Sequence, residues 1–157
     1  MTSTSLFTDR VYDVLVIGGG INGAGVARDC AMRRLSVALF EKNDLCAGAT
    51  GACSGMIHGG PRYLETEREV TRKSCEDSGA IQRIAPNLLF RIPILIPVMQ
   101  SDPAIYVEMV ETFAGAYDKF SRLKGGKPHV RLRAEEVRKI DPGFVDDIAG
   151  AVSLDEW

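Results

Sequence analysis

At 157 residues and a formal net charge of −2, the chain has no excess of positive charge that would draw it to nucleic acid or to an anionic membrane surface. Its 45% hydrophobic and 25% charged residues are ordinary for a globular protein, with length for one domain and a real core but not for two comfortable ones. The four cysteines, at 30, 46, 53 and 75, form no CxxC and have only two histidines for company, which argues against a metal site and a disulfide framework and for a reducing cytoplasm.

The N-terminal "MTSTSLFTDR" lacks the apolar core of a secretory signal, and no run of about 18 apolar residues is present to span a membrane. "YDVLVIG" (12–18) predicts a buried parallel strand. "GAGVARDCAMRR" predicts a helix that turns Ala24, Val26, Ala27, Cys30 and Ala31 toward a sheet. "LSVALFE" (35–41) predicts a second strand, completing a βαβ unit. "CAGATGACSGMIHGGP" (46–61) has no apolar periodicity and predicts a loop. A charged helix is expected over 63–84, stopping before Pro86. "FRIPILIPV" is expected to be an edge or irregular strand, because Pro93 and Pro97 each remove a ladder donor. Helices are expected over 103–123 and 133–141, separated by the breaker "KGGKP", and "IAGAVSL" (148–154) as a strand opening a new hairpin.

Gly18-x-Gly20-x-x-Gly23 directly follows the first strand and opens the first helix, the context in which this spacing has meaning. Gly18 permits the tight turn, Gly20 lets a pyrophosphate approach the backbone, and Gly23 lets helix and strand pack closely. Phosphate charge would rest on free N–H groups at the positive end of the helix. Glu41 stands 23 residues after Gly18, at the end of the second strand. A carboxylate there can accept ribose hydroxyls and repels a 2′-phosphate, so a dinucleotide other than NADP is expected.

The stretch "GGGINGAGVARDCAMRRLSVALFEKNDLCAGATGACSGMIHGGPRYLE" (18–65) resembles the N-terminal segment of FAD-dependent glycerol-3-phosphate dehydrogenases, of the D-amino-acid oxidase type of flavoprotein. "GGGINGAG", "EKNDL" and "HGGPRYLE" carry the resemblance, which continues more weakly through "RIAPNL" and "AYDKFSRL". It implies an α/β, Rossmann-like FAD-binding domain. Gly18, Gly20, Gly23 and Glu41 would hold the ADP half of FAD, with Asn22, inside the motif, counted in the same cofactor-binding set. Thr50, Ser54 and the backbone through His58 would run beside the pyrophosphate and flavin, and Arg62 and Tyr63 would bind the substrate phosphate. The reaction implied is oxidation of sn-glycerol 3-phosphate to dihydroxyacetone phosphate, with electrons leaving for a quinone or another acceptor. It also implies a cytoplasmic protein, peripheral on the cytoplasmic face of the membrane in the full-length enzyme. Arg34 departs from the family pattern, standing where a glycine usually ends the helix, so a left-handed cap is less easily made. Gly55 and Pro61 also replace a lysine and an aliphatic residue of that pattern.

Family members are several times longer, and no convincing general base is evident here, so no catalytic residue is assigned. The chain reads as the N-terminal part of an FAD-binding oxidoreductase domain over 1–157, with the substrate domain largely absent and an open sheet edge prone to aggregation. Two other readings stay open: a related FAD-dependent amine or 2-hydroxy-acid oxidase, and a non-catalytic FAD-binding module acting through a partner chain.

Overall fold

A computed structural model describes residues 10–157 and divides the chain into two units, the first ending at Gly55 and the second beginning at Met56. In the first, strands β1 (Val14–Ile17) and β2 (Val37–Phe40) pair in parallel, Val14 opposite Val37 through Ile17 opposite Phe40. Helix α1 (Ile21–Met32) makes the crossover, so the predicted βαβ unit is present. Strand β1 is not buried as expected, however. Val16 is covered, but Leu15 is 62% and Ile17 91% exposed. Successive side chains of a strand face opposite ways, and α1 is the one helix among the described residues of this unit. The contact stripe of α1 is also narrower than expected: Gly23, Ala27 and Cys30 are half-buried, while Ala24, Val26 and Ala31 stay exposed. Two strands offer too little surface for five residues. Arg34 does take the left-handed conformation, at φ 64. Its N–H bonds Ala31 O at 2.9 Å and that of Leu35 bonds Cys30 O at 3.0 Å, closing the helix without a glycine.

The second unit is an antiparallel sheet in the order β3 (Ile92–Met99), β5 (Ile148–Glu156), β4 (Val130–Arg133), with helices α2 (Arg68–Ile84), α3 (Ala104–Ser121) and α4 (Ala134–Ile140). As its prolines require, β3 lies at an edge. Two expectations need correction, and one strand was not foreseen. Helix α2 starts at Arg68 rather than 63, because Pro61–Tyr63 winds into a 3₁₀ turn first. Strand β4 is not predicted at all: it is four residues long and only Leu132 among them is drawn inward. Finally, β5 opens no hairpin; it is the central strand, paired on both sides with strands that precede it in the chain. Its near-continuous small and apolar run suits burial on both faces. Val152 and Leu154 pack with Val110, Ala114 and Tyr117 of α3, and with Leu64 and Cys75, while Ile148 and Ala151 meet Val137 of α4. Among the described residues no helix is long and apolar enough to cross a membrane.

Candidate functional site

Within the first unit, the turn from β1 into α1 is built from backbone. Gly18 sits at φ 103, a conformation that side-chain-bearing residues rarely take. A Cβ on Gly23 would overlap Gly18 O, so helix and turn can approach this closely only with glycine there. Gly20 caps α1 without a side-chain bond, and the N–H groups of Gly20, Asn22 and Gly23 have no acceptor among the described residues. These are the orphan donors of a helix N-terminus, gathered where its dipole is positive. Ile21 N–H donates to Thr50 Oγ1 at 3.1 Å, which brings the later loop across the helix start. Glu41 closes the opposite wall: its carboxylate accepts Gly19 N–H at 2.7 Å and Asn43 N–H at 3.0 Å. Those bonds, chiefly the one from Gly19, hold its pKa below the usual glutamate value and keep it ionised. Gly20, Glu41, Lys42, Asn43 and the 47–50 loop line a cleft of about 490 Å³. Asn22 is exposed on the first helical turn, and Ser54 is exposed with no hydrogen bond among the described residues.

The second unit carries the His-Gly-Gly-Pro-Arg-Tyr segment, whose backbone is fastened by side chains. Thr71, Cys75 and Ser78 lie on one stripe of α2 at helical spacing. Thr71 Oγ1 donates to Gly60 O at 3.1 Å, Cys75 Sγ to Gly59 O at 3.6 Å, and Ser78 Oγ to Ile57 O at 2.6 Å. Ile57 N–H bonds Trp157 O at 2.9 Å, and Gly59 N–H donates to Glu156 Oε2 at 3.1 Å. A Cβ on Gly59 would overlap Tyr117 Oη and Cys75 Sγ, so this position too must be glycine. Gly60, at φ 68, then turns the chain into the Pro61–Tyr63 helix. His58 Nδ1 accepts Gly60 N–H at 3.0 Å, so the neutral ring bears its proton on Nε2. The exposed Arg62 lies over the Tyr63 ring, 4.7 Å from its centroid, and donates to the Tyr63 hydroxyl.

The sequence-predicted residues therefore fall into two groups: Gly18, Gly20, Asn22, Gly23, Glu41, Thr50 and Ser54 in the first unit, His58, Arg62 and Tyr63 in the second. Gly20, Glu41 and Thr50 are brought together around one cleft. Sequence reasoning missed Thr71, Cys75, Ser78, Tyr117, Lys124 and Glu156. The first three were legible as small polar residues at i, i+4 and i+7 within a highly charged helix. The others lie 39 or fewer residues apart along the chain yet have no shared motif, and only the fold joins them. Burial pushes the Tyr117 phenol far above its usual pKa, with Glu156 reinforcing the shift, and burial likewise raises the Cys75 thiol. Both are neutral donors.

Residues 13–157 match the family profile of FAD dependent oxidoreductases. The chain is 48% identical over 142 residues to a subunit of the anaerobic glycerol-3-phosphate dehydrogenase of Escherichia coli K12, covering 90% of this chain and 25% of that protein. It is 43% identical over 154 residues to glycerol-3-phosphate dehydrogenase 1 of Mycobacterium bovis, covering 97% of this chain and 29% of that one. Among solved structures, dithionite-reduced L-alpha-glycerophosphate oxidase from Mycoplasma pneumoniae with FAD bound shares the fold: TM-score 0.59 at 22% identity, covering 93% of this chain and 38% of that one. The chain thus spans about a quarter of the length of the curated relatives it matches.

Proposed function

The chain belongs to the FAD dependent oxidoreductase family, and from that premise we propose that it supplies the dinucleotide-binding turn and part of the substrate surface of an enzyme oxidising sn-glycerol 3-phosphate to dihydroxyacetone phosphate. The observation that carries the reading is the backbone-built cleft of the first unit. Its unpartnered N–H groups suit a pyrophosphate, and its ionised Glu41 suits ribose hydroxyls. The residues present fit the ADP half of FAD. Gly20, Asn22 and Gly23 would donate to phosphate oxygens, Glu41 would accept from the ribose, and the Thr50 hydroxyl would cover the pyrophosphate side. FAD, when bound there, would supply the hydride acceptor, with a quinone or another acceptor as the outlet for electrons.

On the substrate side, Arg62 offers a planar fork of donors to a phosphate, with its plane already oriented against Tyr63. The ring of His58 would present Nε2–H to a carbonyl or anionic oxygen. Similarity to glycerol-3-phosphate dehydrogenases supports this substrate, and the resemblance to that family supports a cytoplasmic protein, peripheral on the membrane in the full-length enzyme. Residues 1–157 would form the N-terminal part of an FAD-binding oxidoreductase domain. Anaerobic addition of glycerol 3-phosphate to the natural, flavin-loaded protein should bleach the oxidised flavin band, whereas glycine or lactate should not. Bleaching by an amino acid instead would replace this reading with an amine oxidase. In that protein Arg62→Ala should raise KM for glycerol 3-phosphate about tenfold, the loss of one charge-assisted hydrogen bond of ~1.5 kcal/mol; an unchanged KM would remove Arg62 from the phosphate site.

A further inference from the structure

The core of the second unit holds an ionic cluster that the proposed reaction does not use. Lys124 and Glu156 are both fully buried and paired with each other. The phase of β5 puts Glu156 there: with side chains alternating, it lies on the same face as Val152 and Leu154, which pack under α3. An apolar residue would complete that face. Instead a carboxylate enters it, and its oxygens are shared among three donors, the Lys124 ammonium, the Tyr117 hydroxyl and Gly59 N–H. Lys124 also bonds Asp155 O at 2.9 Å, and its ammonium lies 5.0 Å from the centroid of the Trp157 ring. The charges cancel, and the polar groups find partners.

Stability alone does not account for this arrangement, because buried ion pairs are often replaced by apolar side chains without loss. What the cluster adds is an acceptor at a set point above the central strand, and that acceptor meets the segment carrying His58, Arg62 and Tyr63. We propose that Glu156, clamped by Lys124 and Tyr117, is the positioning residue for the His58–Tyr63 segment and acts through Gly59 N–H. The role of that segment rests on the functional reading above; the positioning itself does not. From Gly59 the effect passes one peptide onward: with Gly59 pinned, Gly60 N–H stays on His58 Nδ1 and holds the ring in its Nε2–H form.

Two neutral double variants of the full chain test this. Lys124→Met with Glu156→Gln removes both charges but keeps an acceptor for Gly59; Lys124→Met with Glu156→Leu removes the acceptor too. Amide hydrogen exchange at Gly59 and Gly60 should be at least tenfold faster in the Leu variant than in the Gln variant, with exchange of the β5 amide of Val152 alike in both. The ¹⁵N shifts of His58 should move from the single Nε2–H tautomer toward a mixture in the Leu variant only. Equal exchange at Gly59 and Gly60, or an unchanged His58 tautomer, would overturn the proposal. Should either double variant fail to fold, Tyr117→Phe decides: losing one donor to Glu156 should speed Gly59 exchange about threefold, and no change would overturn the proposal. These readouts do not depend on turnover. A flavin-loaded protein showing this exchange pattern but no bleaching by glycerol 3-phosphate would therefore support the positioning while overturning the functional reading.

Discussion

The two units present their functional backbone by opposite means. In residues 10–55 the donors of the α1 N-terminus are available because side chains are absent: glycine at 18, 20 and 23 clears the approach, and little apolar surface is buried. In residues 56–157 the Ile57–Gly60 backbone is held because side chains are present, with Thr71, Cys75, Ser78 and Glu156 each bonding to it from within a packed core. A backbone site of the first kind is cheap in core and depends on its ligand to complete it. One of the second kind is costly in buried polar groups and keeps its shape without a ligand.

The largest test of this contrast is in the second unit. Glu156→Ala leaves the Lys124 ammonium buried and unpaired, and should lower unfolding free energy by about 3–5 kcal/mol in urea titration. A loss under ~1 kcal/mol would mean that water reaches the cluster and that the segment is not rigidly held. In the first unit the corresponding change is Gly23→Ala, whose methyl group would overlap Gly18 O. A cost of about 1–3 kcal/mol is expected, with loss of FAD binding by flavin fluorescence. Flavin binding that survived would show the close approach of helix and turn to be dispensable.

Acid should separate the two units further. Hydrogen bonds from Gly19 and Asn43 lower the pKa of Glu41, so its carboxylate favours the folded turn fully above the ordinary glutamate value of 4.5. That contribution is lost as the pH falls through the lowered native value. FAD affinity should therefore drop on the acid side, and Glu41→Gln should weaken binding at neutral pH and flatten this limb. The smallest effect is expected at Arg34, which bears a side chain at φ 64. Arg34→Gly should stabilise the chain by about 0.5–1 kcal/mol, seen as a small rise in Tm. A fall would indicate that the arginine makes interactions outweighing its backbone strain.

Glycine spacing, valine-rich runs and prolines are local signals, and they made the βαβ start, the edge position of β3 and the cleft around Gly20 and Glu41 readable in advance. Where reading failed, the cause was a neighbour distant in sequence. The run 148–154 looks the same whether it begins a hairpin or fills the centre of a sheet, and pairing with β3 and β4 decides between them. VRLR is too short for its alternation to stand out, and its partner β5 makes it a strand. Thr71, Cys75 and Ser78 form a small polar stripe on a helix read only as charged, and what that stripe holds, the carbonyls of Ile57, Gly59 and Gly60, is decided by packing.

The amino-acid order was enough wherever the conformational freedom of single residues settles the matter: where the chain turns at Gly18, where a ladder bond is missing at Pro93 and Pro97, and where a carboxylate ends β2. Which polar groups are buried, and with whom, was settled only when the elements packed. Lys124, Tyr117 and Glu156 carry no signal in their own surroundings, because the cost of burying a charge exists only once packing has removed the water, and its remedy lies on another element of the fold.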